Sequence, residues 1–233
     1  NGEYTMVLTD VGASMSIFHG VDVTRRSADL LRGPAGIFAV ASFDGELLCV
    51  TAAPEYNEDK LIRRHVEFNT HGAIYHARTQ NYGVDMQALL HAGMPCEIRA
   101  VELENYTQKR VEAKLLFYFE PSLAKWMDEA AHPAFSRLFL HVDYRSDTKM
   151  LIFSRRTRGA EVPACIAVGF MEHEVDFEFD SDRPVLLTRP YGASSLPRAL
   201  DIPFSSRTGA IPEAAVAIRL KTELGSRQRK LFT

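Results

Sequence analysis

The nonapeptide Val111-Glu112-Ala113-Lys114-Leu115-Leu116-Phe117-Tyr118-Phe119 decides the class of fold. Successive side chains on an extended chain point to opposite sides, so Ala113, Leu115, Phe117 and Phe119 share one face, while Glu112, Lys114 and Tyr118 occupy the other. This is the signature of a half-buried β-strand. The pattern repeats outward along the chain: Val175, Phe177 and Phe179 alternate with Glu174, Asp176, Glu178 and Asp180, whose carboxylates are expected to face water. Further strands are legible at Ile62, Arg64, Val66 and Phe68, at Val84, Met86, Ala88 and Leu90, at Leu138, Leu140 and Val142, and at Ala214, Val216, Ile218 and Leu220. Turn signals separate them. Asp44-Gly45, between Ile37–Phe43 and Glu46–Thr51, reads as a tight hairpin because both residues tolerate positive φ, and His71-Gly72 and Asn105–Gln108 read as further reversals.

A single stretch resembles a helix. Ser122 serves as its N-cap, Leu123, Trp126, Met127 and Ala130 form one apolar stripe, and His132-Pro133 ends it, so the helix is expected over Ser122–Ala131 with Trp126 in the core. More than a dozen short strands and one helix cannot supply the crossovers that a parallel sheet requires. The expectation is therefore an all-β antiparallel sandwich, and its 233 residues are compatible with one domain. The stretch from Arg189 to Pro212 reads as a long surface loop with short strands.

Composition narrows function by exclusion. Hydrophobic residues are 46% and charged residues 24% of the chain, enough for a sizeable core. The formal charge of -3, with basic residues dispersed, offers no field to attract nucleic acid. No apolar run approaches the roughly 20 residues of a membrane span. Cys49, Cys96 and Cys165 are odd in number and lack CxxC spacing, and so read as reduced, buried thiols in a cytoplasmic protein. The chain opens at Asn1 without methionine and enters strand-like sequence at once, as an excised domain would.

Motifs for chemistry are sparse. No histidine pair has HExxH spacing, and neither His65 with His71 nor His71 with His76 matches a familiar ligand spacing, although a folded sheet can still bring two together. No metal or other cofactor is expected. Gly12-Ala13-Ser14-Met15-Ser16 lacks the closing glycine of a nucleophile elbow. Glu102 with Glu104, and Asp176 with Glu178, imitate a glycosidase carboxylate pair, but a solvated strand face accounts for both. Arg155-Arg156-Thr157-Arg158 is either an anion site or a solubilising strand end.

Several segments carry a resemblance. Asn1-Gly2-Glu3-Tyr4, the turn Gly12-Ala13-Ser14-Met15-Ser16, Thr24-Arg25-Arg26 and above all Ala131-His132-Pro133-Ala134-Phe135-Ser136-Arg137-Leu138-Phe139 resemble the N-terminal domain of glycoside hydrolase family 94, formerly glycosyltransferase family 36, which includes cellobiose and chitobiose phosphorylases and cyclic β-1,2-glucan synthases. The resemblance implies a β super-sandwich similar to galactose mutarotase, preceding a catalytic (α/α)6 barrel in the same polypeptide. It implies no catalytic residue within this chain. The resemblance implies that Arg137 matches an arginine that reaches towards the active site of the neighbouring subunit, where its guanidinium can donate a forked pair of hydrogen bonds to sugar hydroxyls, with Arg25 and Ser16 as further substrate-binding candidates; the plainer alternative for Arg137 is a surface arginine at a strand start. The implied partners are an oligosaccharide or glucan, the downstream barrel, and a second copy in a homodimer, and a parent of the glucan synthase kind can be membrane-associated. The expected function is thus a non-catalytic carbohydrate-binding, scaffold and dimerisation domain. Two alternatives are a mutarotase-like sugar epimerase and a free-standing carbohydrate-binding module.

Overall fold

The computed structural model describes residues 2–27, 35–51, 63–157, 164–187 and 192–233. Its strands form four antiparallel sheets. The first contains β1 (Tyr4–Leu8), β2 (Ser14–Phe18), β3 (Val21–Thr24) and β11 (Pro121–Ala124). The central sheet runs β15 (Glu178–Asp182), β17 (Ala214–Leu224), β10 (Val111–Phe119), β4 (Phe38–Phe43) and β5 (Glu46–Cys49). The third runs β14 (Cys165–Val168), β13 (Met150–Arg155), β12 (Leu140–Arg145) and β16 (Gly209–Ala210). The fourth runs β18 (Arg229–Phe232), β9 (Glu97–Asn105), β8 (Tyr82–Leu90), β7 (Gly72–Arg78) and β6 (Arg63–Asn69).

Period-two patterning explains how these sheets stack. On one face of β17, Ala214, Val216 and Ile218 join Phe119 and Phe179 in a core with Leu140, Val142, Leu151 and Phe153 of the third sheet. Further along the same face, Leu220 and Leu224 join Ala113 and Leu115 in a core with Val84, Met86, Val101 and Leu103 of the fourth. One long strand thus roofs two cores. Phe170 and Phe177 touch both and seal the seam. The result is a two-layer sandwich, as the alternation in β10 requires.

The opposite face of the central sheet is covered as well. Leu116, Tyr118, Ala215 and Ala217 pack under a 3-10 helix (Gly192–Leu200) through Leu196, Ala199 and Leu200. The second half of β10 is therefore buried on both sides, not half-buried as its sequence suggests, and the segment expected as a surface loop is a lid over a third core. Residues 189–191 of that segment lie outside the described residues.

The hairpin at Asp44-Gly45 forms as expected, with φ of 47° and 86° and Phe43 opposite Glu46. Other expectations are corrected. Strand pairing in β15 begins only at Glu178, and its register with β17 shifts between Asp180 and Asp182. Asp180 is still in register with Ala217, on the face that the segment from the 3-10 helix to Ser205 covers, so it is fully buried and accepts hydrogen bonds from the Ser205 amide and hydroxyl at 2.8 and 2.7 Å. Leu138 belongs to a helix end and is 56% exposed, so the strand begins at Leu140. Cys49 is buried, whereas Cys96 and Cys165 are exposed. The expected strand residue Ile62 and the basic residue Arg158 lie outside the described residues.

The helix expected over Ser122–Ala131 is shorter and is followed by another. Pro121 and Ser122 are in β11, and Leu123 adopts φ 53°, a left-handed conformation that no helix admits. Helix α1 (Trp126–Ala131) starts after Lys125, and α2 (Pro133–Arg137) starts directly beyond it. Pro133 stops the first helix by its effect on His132 and opens the second, since a proline at the first helical position gives up no hydrogen bond. The apolar stripe faces outward: Met127 is 74% exposed and Trp126 half-buried, while the buried residue of α1 is Glu129. A third short helix, α3 (Arg183–Leu186), follows β15.

Candidate functional site

Strand β3 ends in Thr24, and the two arginines after it emerge where β11, α2 and α3 converge. Arg25 donates its amide to the Glu120 carbonyl at 2.7 Å, which orients its side chain into a cleft of about 320 Å³. Its guanidinium is held by two carboxylates, with Nε 3.2 Å from Glu120 and Nη1 2.7 Å from Glu129. Arg26 makes a forked pair with the buried Asp22, at 3.1 and 2.6 Å, and its guanidinium lies 5.2 Å from the centre of the Trp126 ring.

Arg137 enters from the end of α2, and Arg183 from the start of α3. Arg155 on β13 steadies α2 by donating to the Ser136 carbonyl at 2.8 Å, which fixes the residue before Arg137. Arg183 Nε lies 2.6 Å from Glu120, and Glu213 faces both arginines, 3.4 Å from Arg183 and 3.9 Å from Arg137. Arg137 Nε is buried without a hydrogen-bond partner among the described residues. The floor is aromatic: Phe38 and Tyr118 lie with ring centres 6.3 Å apart, and the Tyr118 hydroxyl donates to Glu120 at 3.0 Å. Gly36 lines the cleft with φ 94°.

Among the described residues, four guanidinium groups (Arg25, Arg26, Arg137, Arg183) are paired with four carboxylates (Asp22, Glu120, Glu129, Glu213). Burial pulls the Arg25 guanidinium below its ordinary value; Arg137 and Arg183 add to this, against Glu129 and Glu120. For Arg183 the balance is opposite: burial is outweighed by Glu120, which raises it. Burial first and then Glu120 push the Tyr118 phenol well up, so it stays a neutral donor. Guanidinium groups held in fixed directions by carboxylates can donate paired hydrogen bonds to a hydroxyl-rich ligand.

Of the three substrate-binding candidates, the fold brings Arg25 and Arg137 to this cleft. Ser16 is elsewhere. It has no exposed surface, and its hydroxyl donates to Glu97 at 2.5 Å, beside the Tyr4 hydroxyl at 2.9 Å from the same oxygen. Ser16 therefore ties the first sheet to the fourth. The acidic pairs are also accounted for: Glu104 is buried, not solvated, and accepts from the Tyr106 hydroxyl with Arg229 at 3.1 Å, whereas Asp176 is an exposed partner of Lys149. Arg183, Glu120, Glu129 and Glu213 were not singled out from sequence, because no local pattern marks residues that meet only through folding.

The cleft, the outward-facing helices and the two-layer body are features of one architecture, and the whole chain, residues 1–233, matches the family model described as "Glycosyl hydrolase 94, supersandwich domain". The chain belongs to this family. The supersandwich domain is also similar to the cyclic beta-(1,2)-glucan synthase NdvB of Rhizobium meliloti (strain 1021), with 26% identity over 166 residues. That alignment covers 70% of this chain and 6% of the relative, so the supersandwich domain spans a small part of that protein's length. Among its described residues no helix is long and apolar enough to cross a membrane.

Proposed function

We propose that this supersandwich domain is a non-catalytic carbohydrate-binding and scaffold unit of a glycoside phosphorylase or cyclic glucan synthase-type enzyme, and that it also contributes to dimerisation. The observation that carries this reading is the meeting of Arg25 and Arg137 at one cleft, each with its guanidinium facing a carboxylate. An oligosaccharide or glucan there would take hydrogen bonds from guanidinium groups already held in place, including the unpartnered Nε of Arg137. Chemistry would occur in a barrel of the same cytoplasmic polypeptide.

The surface beside Arg137 supports the assembly role. Met127, Phe135 and Leu138 are 74%, 47% and 56% exposed on α1, α2 and the residue that caps α2. Large apolar side chains clustered on neighbouring short helices are typical of surfaces covered by a partner subunit or domain. Calorimetry with a β-1,2-linked gluco-oligosaccharide and with cellobiose tests the binding role. Heat of binding that disappears in Arg137→Ala is expected; polarimetry showing accelerated mutarotation of fresh α-glucose would overturn the non-catalytic reading.

A further inference from the structure

The fourth sheet carries a second constellation. Strands β6 and β7 are joined by a two-residue reversal, Thr70-His71, which sets Asn69 opposite Gly72 and therefore His65 opposite His76. Glu67 is two residues from His65 and so shares its face. The imidazole rings stack with centres 4.2 Å apart and planes 10° from parallel. Both Nε2 atoms approach the same carboxylate oxygen of Glu67, His65 at 3.3 Å and His76 at 3.8 Å.

We propose that His65, Glu67 and His76 bind a divalent transition-metal ion of the Zn²⁺ class. Their ligand atoms lie within 4.8 Å of one another. Tetrahedral zinc with bonds of about 2.0–2.1 Å holds its ligand atoms about 3.3–3.5 Å apart, so small rotamer changes close the site. His76 Nε2 is buried and lacks a hydrogen-bond partner, which an ion would supply. Its other nitrogen, Nδ1, lies 2.7 Å from Asp85 on β8, and Asp85 is itself held by Arg78 at 2.6 Å. The Asp85 carboxylate accepts a hydrogen bond from Nδ1–H, which holds the proton on Nδ1 and leaves the Nε2 lone pair for the metal, the arrangement by which outer-shell carboxylates orient zinc ligands. Two imidazoles with one carboxylate favour zinc, cobalt, nickel or copper over calcium or magnesium. A fourth position is left to water, and the ion would pin edge strand β6 to β7.

The test uses the whole chain stripped with a chelator. Zn²⁺ is titrated in competition with a chromophoric chelator, and Co²⁺ binding is followed by its visible d–d absorption. Wild type is expected to bind one equivalent and to give tetrahedral Co²⁺ bands, while Asp85→Asn binds about 10–100-fold more weakly. Glu67 is 62% exposed, so Glu67→Gln is expected to fold normally and to lose affinity, and His71→Ala in the adjacent turn is expected to retain it. A thermal shift by Zn²⁺ in wild type that is absent in Glu67→Gln would agree. Equal affinity in wild type, Glu67→Gln and His65→Ala, or equal competition by Mg²⁺, would overturn the proposal.

Discussion

Nη1 of Arg25 lies 2.7 Å from Oε1 of Glu129, and this contact fastens the end of β3 to helix α1. Both side chains are largely buried, at 16% and 7% exposure, and the Ser122 hydroxyl donates to the same carboxylate. Removing one member of a buried ion pair leaves the other charge without compensation. Glu129→Ala is accordingly expected to cost about 3–5 kcal/mol in urea unfolding. Glu129→Gln, which keeps an acceptor for Ser122, should cost less. Equal loss in both would assign the effect to volume instead of charge.

Arg219 predicts an acid-sensitive link. It is buried in β17, donates to the Ala199 and Ile202 carbonyls at 2.8 Å each, and donates to Glu178 on β15 at 2.9 Å. Burial works to raise the Glu178 carboxyl, but the hydrogen bonds and charges of Arg219 and Lys221 outweigh it and hold it below 4.5. A depressed carboxyl contributes stability that is present above the unfolded value and lost as pH falls through the folded one. Glu178→Gln should therefore lower the melting temperature at neutral pH, and its gap to wild type should close below about pH 4. A gap that persists in acid would refute the linkage.

Gly36 tests the shape of the cleft. At φ 94° a Cβ would overlap the Ser14 hydroxyl oxygen and the Ser14 backbone. The left-handed conformation alone costs a non-glycine residue about 1–2 kcal/mol, and the clash adds to it. Gly36→Ala is expected to destabilise by at least about 2 kcal/mol and to weaken oligosaccharide binding. Gly45, with open space around its Cβ direction, should lose only the conformational part when replaced by alanine.

Met127 and Leu138 separate stability from assembly. Substitution of such exposed residues away from packed features usually shifts stability by no more than about 0.5 kcal/mol. Met127→Ser with Leu138→Ser should leave unfolding unchanged while reducing self-association in sedimentation experiments. A large drop in melting temperature would instead mean that these side chains pack within their own chain.

The three thiols should differ in reactivity. Iodoacetamide is expected to modify exposed Cys96 and Cys165 in the native protein, and Cys49 only after denaturation, with mass spectrometry as the readout. Modification of Cys49 under native conditions would show that β5 opens readily.

The sandwich was legible because β8, β10 and β17 alternate in the period of a strand, and period alone selects the face that is buried. The same rule failed where a second segment covers the outer face or the backbone departs from regularity. Asp180 keeps its alternating position but is buried under the segment that ends at Ser205, and at Leu123 a left-handed residue ends the expected helix before it begins. Trp126 and Met127 misled because apolar spacing does not say whether a helix faces its own core or another surface. Arg25 and Arg137 were found through family likeness, whereas Glu120, Glu213 and Arg183 are joined by contacts 30 to 63 residues apart. The facing of His65 and His76 was within reach: a reversal at residues 70–71 makes them equidistant from the turn.

The eleven-residue strand β17 has one consequence for biogenesis. It is the hydrogen-bonded neighbour of β10 and the shared ceiling of two interiors, yet it occupies residues 214–224. During translation Leu115, Phe119 and Leu151 cannot complete their packing until residues 214–224 have emerged from the ribosome. A nascent chain halted short of it would be a natural client for chaperones.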